Sequence, residues 1–213
     1  MSLVLASHHQ TQVSHGSDMT THAPFKDASA RVTLEGHARD SMRRVVRDAT
    51  RNDHRVLDHA MSNSVLGDRV GYGIFLNIHY RALRSLAGQW RTSDQPAFND
   101  LVCCIADDLR ALGFPVIHPT PSANVTTTSF CQWGIAYVIR GSRLGAQVLR
   151  QRVPASFPTS YLGHVMQLSW PEFLRQLDEA AETLPGERNQ IIGGAKSAFA
   201  AFIAAVDDSV VAG

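Results

Sequence analysis

Helix-period spacing of apolar residues continues through the chain from about residue 37, and it restricts the fold more than any other feature. Apolar side chains recur three and four residues apart, as on one face of an α-helix, and no alternating stretch is long enough to indicate a β-strand. The 213 residues are 44% hydrophobic, enough for one substantial core. The sequence therefore predicts an all-α fold, a single-domain multi-helix bundle over residues 37–213.

Residues 1–36 differ from the rest of the chain. They are rich in Ser, Thr, His and Gln, carry few large apolar side chains and show no lasting period. Such composition is typical of a flexible leader that does not join a core.

Breaks in the helical pattern divide the rest of the chain. The first predicted helix has an apolar stripe with Met42, Val46 and Leu57. Later helices are predicted at about 68–90, 96–112, from 128 or 129 onward, around 161–168, at 170–184 and at 186–211. Residues 118–127, with two prolines and a threonine run, are predicted to form a loop.

Charge and composition exclude several classes of function. Twenty basic and nineteen acidic side chains give a net charge of +1, so neither nucleic acid nor a membrane is an expected partner. No uninterrupted apolar run approaches the roughly 18 residues of a membrane span. The three cysteines show no metal-binding or redox spacing. We expect a cytoplasmic protein.

The first helix carries a histidine with chemically suitable neighbours. Asp58 follows His54 by four residues, which places both side chains on one helix face. A metal-binding histidine commonly donates its second ring nitrogen to a carboxylate in this way. Arg47 lies seven residues earlier, about 10 Å along a continuous helix. At that distance it could reach a propionate of an iron porphyrin bound at His54. A surface histidine paired with Asp58 is the alternative.

Two glycines interrupt the helix predicted from residue 128 or 129. Gly141 and Gly145 stand four residues apart on one face, and each interior glycine costs roughly 0.5–1 kcal/mol relative to alanine. Close approach of a flat ligand, with a kink between the glycines, is one explanation. Tight packing against another helix is the other.

Three segments, taken in order, resemble haem oxygenases. They are Arg47-Asp-Ala-Thr50 with His54 and Asp58, Tyr137-Val-Ile-Arg-Gly141-Ser-Arg-Leu-Gly145-Ala, and the stretch from Leu184-Pro to Ile-Ile-Gly-Gly-Ala-Lys-Ser-Ala-Phe199. The likeness extends from about residue 37 to the carboxyl end. It is greatest to bacterial biliverdin-producing enzymes, including those associated with bacteriophytochromes.

The resemblance implies a role for each motif residue. His54 would be the proximal iron ligand, with Asp58 as its acidic partner, and haem would lie between this helix and a kinked distal helix. Gly141, Ser142 and Gly145 would form the catalytic distal face. The other implied haem contacts are Arg47, Thr50, Tyr137, Arg175 and Phe199. The alternative for Arg175 is an arginine that faces solvent. The alternative for Phe199 is an ordinary core aromatic.

The implied reaction is oxidative cleavage of haem, both cofactor and substrate, to biliverdin, ferrous iron and CO with O2. Electrons would come from an external ferredoxin or NAD(P)H-dependent reductase, since the chain has no Gly-x-Gly-x-x-Gly fingerprint. A bacteriophytochrome is the implied biliverdin acceptor.

Ser142 stands where animal enzymes have an aspartate, and serine supplies no charged acceptor. A non-catalytic haem carrier or sensor is therefore a competing hypothesis. A helical interaction protein without haem is a third, since Gly141 and Gly145 could instead serve tight helix packing.

Overall fold

The computed structural model describes residues 41–62, 65–118, 127–183 and 185–211, and these residues form helices and no β-strand. The helices are α1 (Met42–Ala49), α2 (Arg51–Met61), α3 (Arg69–Leu86), α4 (Gln95–Ala111), α5 (Ser129–Arg150), α6 (Ser160–Gly163), α7 (Trp170–Thr183) and α8 (Arg188–Val211). Short 3₁₀ turns follow α3 and precede α8. The all-α prediction is confirmed. The predicted leader, and residues 119–126 of the predicted loop, lie outside the described residues.

Helix α8 lies at the centre of the bundle, where it contacts α1, α2, α3 and α5. Its buried side chains include Ile191, Phe199, Phe202 and Val206. A helix that is apolar on most sides is typical of the core of a protein. By length and mean hydropathy Arg188–Ser209 could also cross a membrane, but here it packs inside the bundle.

The closest backbone approach between α5 and α8 depends on two other glycines. A Cβ atom on Gly134 would overlap the carbonyl oxygen of Ile191, and one on Gly194 would overlap that of Cys131. Because backbone atoms cannot yield as a flexible side chain can, these positions accept only glycine at this helix spacing. Tight helix packing through glycine thus occurs on α5 about two and three turns before Gly141.

Local signals predicted most helix ends correctly. Asp68 caps α3 by accepting a hydrogen bond from the Gly71 amide at 2.8 Å, and Thr128 caps α5 through the Cys131 amide at 3.3 Å. Helix α4 ends just before Gly113, whose φ of 75° is readily adopted only by glycine.

Two predictions about helix continuity were wrong. The segment predicted as one helix through Arg47 and Asp58 is divided at Thr50, whose hydroxyl donates to the Val46 carbonyl at 2.8 Å. Such back-bonding commonly bends a helix. The helix predicted over 161–168 ends at Gly163, and Val165 beyond it is exposed.

Candidate functional site

Helix α2 holds His54 and Asp58 in contact. The His54 Nδ1 atom lies 3.1 Å from an Asp58 carboxylate oxygen, as expected for residues four apart on a helix. A carboxylate oxygen accepts hydrogen bonds, so Nδ1 carries a proton, and in the neutral imidazole Nε2 then keeps its lone pair. The His54 Nε2 atom is buried and has no hydrogen-bond partner. This is the arrangement of an imidazole ready to bind a metal centre.

Phe199 of α8 lies against the same imidazole. The two ring centroids are 5.9 Å apart and the rings meet edge to face. Phe199 is fully buried, and Phe202, one turn later, lines a neighbouring cavity. The structure therefore joins the first and third motifs of the sequence at one place, although they are separated by about 145 residues along the chain.

A small cavity separates the second half of α2 from α5. Leu57 and Met61, one and two turns beyond His54, line one side, and Ser142, Ala146 and Leu149 line the other. The cavity is partly open and its volume is about 20 Å³, room for about one water molecule. His54 itself does not line this cavity, so a macrocycle bound at its Nε2 would fit between these helices only after the intervening side chains move.

The distal motif lies on α5 beside this cavity. Gly141 and Gly145 are buried, and the residue that follows each of them, Ser142 and Ala146, lines the space. The Ser142 hydroxyl donates to the Ile139 carbonyl at 2.7 Å, so its lone pairs stay available. Helix α5 is continuous from Ser129 to Arg150, and a kink between the glycines remains a prediction.

Three further motif residues lie at or near α1. Thr50 is buried, and its hydroxyl donates a hydrogen bond to the Val46 carbonyl. The Tyr137 hydroxyl donates to the Arg43 carbonyl at 3.5 Å. Burial raises the pKa of Tyr137 to about 12. Arg47 is half exposed and lies 3.3 Å from Asp48.

Arg175 lies on α7, and 57% of its side chain is exposed. Its guanidinium contacts Glu172 at 2.7 Å and also pairs with Glu179. These carboxylates raise the pKa of Arg175 further above its usual value. The structure therefore places Arg175 in a solvent-facing ion-pair cluster.

His79 is a cavity residue that the sequence analysis missed. It lines the same space as Ser142, and its ring packs against Phe75, Tyr161 and Phe202. The sequence feature that could have indicated it is its position: His79 stands in the apolar stripe of α3 that also contains Phe75, Ala82 and Leu86. In sequence, such a pattern is typical of ordinary helix packing.

Within the described part of the chain, no three His, Cys, Asp or Glu side chains are grouped to hold a metal ion. His54 would thus offer a metal one protein nitrogen, while the Asp58 carboxylate contacts its other ring nitrogen.

One known protein with a similar sequence is named heme oxygenase, from Xanthomonas campestris pv. campestris (strain 8004). The two sequences are 32% identical over 111 residues, which cover 47% of this chain. The chain spans 64% of that relative's length, less than two thirds. No protein-family model matches the sequence. The likeness supports a relationship to heme oxygenases, and the all-helical fold agrees with it.

Proposed function

We propose that this protein is a haem oxygenase that cleaves haem to biliverdin, ferrous iron and CO. The observation that carries the proposal is the buried, unpaired Nε2 of His54, whose Nδ1 is paired with Asp58. The sequence similarity to a protein named heme oxygenase supports it independently.

The chain's own residues would bind and orient the substrate. His54 Nε2 would hold the iron, and Asp58 would keep the imidazole in the required tautomer. Bound haem would supply the iron that activates O2 and would itself be the substrate. Gly141 and Gly145 would leave room for O2 but not for bulky ligands, and Phe199 would pack beside the ring. Thr50 and Tyr137 would support the wall formed by α1 and α5.

Finer features of this activity belong to the same proposal. Arg47 and Arg175 would pair with the propionates and thereby set the rotation of the macrocycle, at the cost of their present ion pairs. An external ferredoxin or NAD(P)H-dependent reductase would supply electrons. A bacteriophytochrome would accept the biliverdin.

A non-catalytic haem carrier or sensor is the second candidate function. The observation that favours it is Ser142, whose hydroxyl proton is directed to the Ile139 carbonyl and is therefore not offered to the cavity. A carrier would keep the His54 site without efficient turnover.

Reconstitution with haem separates these functions. Purified protein should form a Soret band with haem, then lose it and form a bilin when ascorbate or ferredoxin with its reductase is added. Stable haem under every donor would favour the carrier, and absence of binding would contradict both. The variant His54→Ala should change the ferric spectrum, whereas the matched control His59→Ala, on the exposed side of α2, should not.

A further inference from the structure

Cys104 of α4 and His164, the residue after α6, are in contact. The Cys104 Sγ atom lies 3.9 Å from the His164 Nδ1 atom, although the two residues are 60 positions apart in the sequence. Both residues are partly exposed. His164 also lines a cleft of about 400 Å³ between α4, α5 and the segment that follows α6. A thiol and an imidazole are thus paired where a small solute can reach them.

Helix α6 is held at both ends, which fixes the position of His164. At its start, the Asp108 carboxylate of α4 accepts hydrogen bonds from the first two amides of α6 at 3.0 and 2.9 Å. Asp108 stands one turn after Cys104 on the same helix face. At the other end of α6, Arg143 of α5 donates to the Tyr161 carbonyl at 2.6 Å. The contact between sulfur and nitrogen is therefore preorganised by charged side chains of the two neighbouring helices.

The surroundings of Cys104 do not suit a nucleophile. Burial raises the pKa of the Cys104 thiol, and the nearby Asp108 and Asp100 carboxylates raise it further. A nucleophilic cysteine needs a lowered pKa, because the thiolate is the reactive form. A bound cation would have the opposite effect on the thiol, since a metal ion holds its sulfur ligand as the thiolate. The same carboxylates that disfavour a free thiolate would attract that cation.

The distance between the two donor atoms fits one bridging metal ion. With bonds of about 2.3 Å to sulfur and about 2.0 Å to nitrogen, the donors are about 3.5 Å apart at a tetrahedral angle and about 4.3 Å apart when collinear with the ion. The observed separation of 3.9 Å lies between these limits. One ion could therefore bond to both atoms at an open angle without displacing either residue.

The number of donors restricts the kind of ion. Among the residues that the structure describes, no third His, Cys, Asp or Glu side chain is grouped with this pair. Structural zinc takes four protein ligands, and calcium and magnesium take oxygen ligands. Copper(I) is selected by soft thiolate ligands and also binds imidazole. It is stable with only two donors, which is the number that this pair supplies.

We propose that Cys104 and His164 form a two-coordinate binding site for Cu(I), with the Cys104 sulfur and the His164 Nδ1 as its ligands. The site is independent of the proposed haem chemistry, because neither residue lines the cavity beside Ser142. Bound Cu(I) would connect α4 to the segment after α6, and its binding would release the thiol proton to solvent.

The first test is an anaerobic titration of the full chain with Cu(I) in competition with bicinchoninate, a coloured Cu(I) chelator. The wild-type protein should withdraw one equivalent of Cu(I) from the chelator. Cys104→Ser and His164→Gln should each weaken binding at least about tenfold, the lower end of the loss seen when a ligand loses even its outer partner.

The matched controls for this titration are Cys103→Ser, the exposed neighbour on α4, and His59→Ala on α2. Both should bind Cu(I) as the wild type does. Unchanged affinity in Cys104→Ser or His164→Gln, or loss of binding in Cys103→Ser, would overturn the proposed site. A wild-type protein that takes no Cu(I) would overturn it as well, and haem binding would be unaffected by that result.

The second test uses the wild-type protein alone, so it does not depend on how a variant folds. X-ray absorption at the copper edge should show one sulfur and one nitrogen neighbour. Two sulfur neighbours would place the ion at both Cys103 and Cys104 or between molecules, and nitrogen neighbours alone would place it at histidines such as the adjacent His8 and His9. Either result would overturn the proposal. Displacement of Cu(I) by an equal concentration of Zn²⁺ would do so too, because zinc requires more ligands than this pair offers.

Discussion

His54 and His79 show how one residue type acquires two chemistries from its immediate neighbours. His54 donates through Nδ1 to a carboxylate and keeps a buried Nε2, whereas His79 donates through Nδ1 to a backbone carbonyl among aromatic rings. Either partner fixes the tautomer, and the charged carboxylate raises the basicity of the other ring nitrogen more than a neutral carbonyl does.

Removing the carboxylate behind His54 should weaken haem binding. Asp58→Ala leaves Nδ1 without its partner, and loss of such an outer partner commonly lowers metal affinity about 10- to 100-fold. Haem titration followed by Soret absorbance measures the change. Asp53→Ala, on the same helix, is the control, and equal affinities for the two variants would contradict the role of Asp58.

His79 should make stability depend on pH in the acid range. Its pKa is about 4 in the folded protein and 6.5 for the ordinary group, so the unfolded chain binds more protons between these values. The stabilising contribution is complete above about pH 6.5 and is lost as the pH falls toward 4, on the order of 3 kcal/mol in total. Urea unfolding at several pH values should show a shallower acid loss for His79→Phe than for wild type. Parallel curves would show that His79 does not titrate in this way.

At the scale of helices, the approach of α5 to α8 sets the position of the distal motif. The two helices approach most closely at Gly134 of α5 and Gly194 of α8, which have no side chains. Gly141 and Gly145 lie further along α5, each directly before a residue that lines the cavity. Close packing through glycine is therefore observed at Gly134 and Gly194, whereas for Gly141 and Gly145 a close-lying ligand and tight helix packing both stay predictions.

Alanine substitutions should separate packing glycines from tolerant ones. Gly134→Ala and Gly194→Ala introduce a Cβ into a backbone carbonyl of the partner helix, so each should cost about 1–3 kcal/mol or more of unfolding free energy. Gly193→Ala is the matched control on α8, because its Cβ would meet no atom within 4 Å. Higher helix propensity should make it neutral or stabilising by up to about 1 kcal/mol. Thermal unfolding of the three variants measures this, and equal midpoints would contradict the close approach.

For the whole molecule, a few polar contacts between distant parts of the chain hold the helices in register. Asp94, just before α4, pairs with Arg140 of α5 at 2.7 Å, and both side chains are buried. The Met42 amide at the start of α1 donates to Asp178 of α7 at 2.6 Å. Asp108 of α4 accepts the amides of Ser160 and Tyr161 at the start of α6.

Loss of Asp94 should destabilise the whole bundle. Asp94→Leu leaves the Arg140 charge buried without its partner, which typically costs about 3–5 kcal/mol. The double variant with Arg140→Met should recover much of this loss, because the buried Arg140 charge is then removed and only the partly buried Arg91, which also pairs with Asp94, loses a partner. Asp107→Ala, which removes an exposed ion pair to Arg110, should cost less than about 1 kcal/mol. Chemical denaturation of the four proteins tests the order, and an equal cost for Asp94→Leu and Asp107→Ala would refute it.

Features that depend on neighbours within one or two turns were accessible from the sequence. The caps at Asp68 and Thr128, the stop at Gly113 and the pairing of His54 with Asp58 all use partners at most four residues away. Helix period and these local hydrogen bonds determined the all-α fold and the candidate proximal histidine.

The tertiary structure decided what lies between the helices. The cavity shared by His79 and Ser142, the glycines at the crossing of α5 with α8, and the pairing of Asp94 with Arg140 were not predicted. Apolar period shows which face of a helix is buried but not which residue it meets, since those partners lie tens of residues apart. Whether a buried histidine fills core volume or borders a cavity therefore depends on how all the helices pack together.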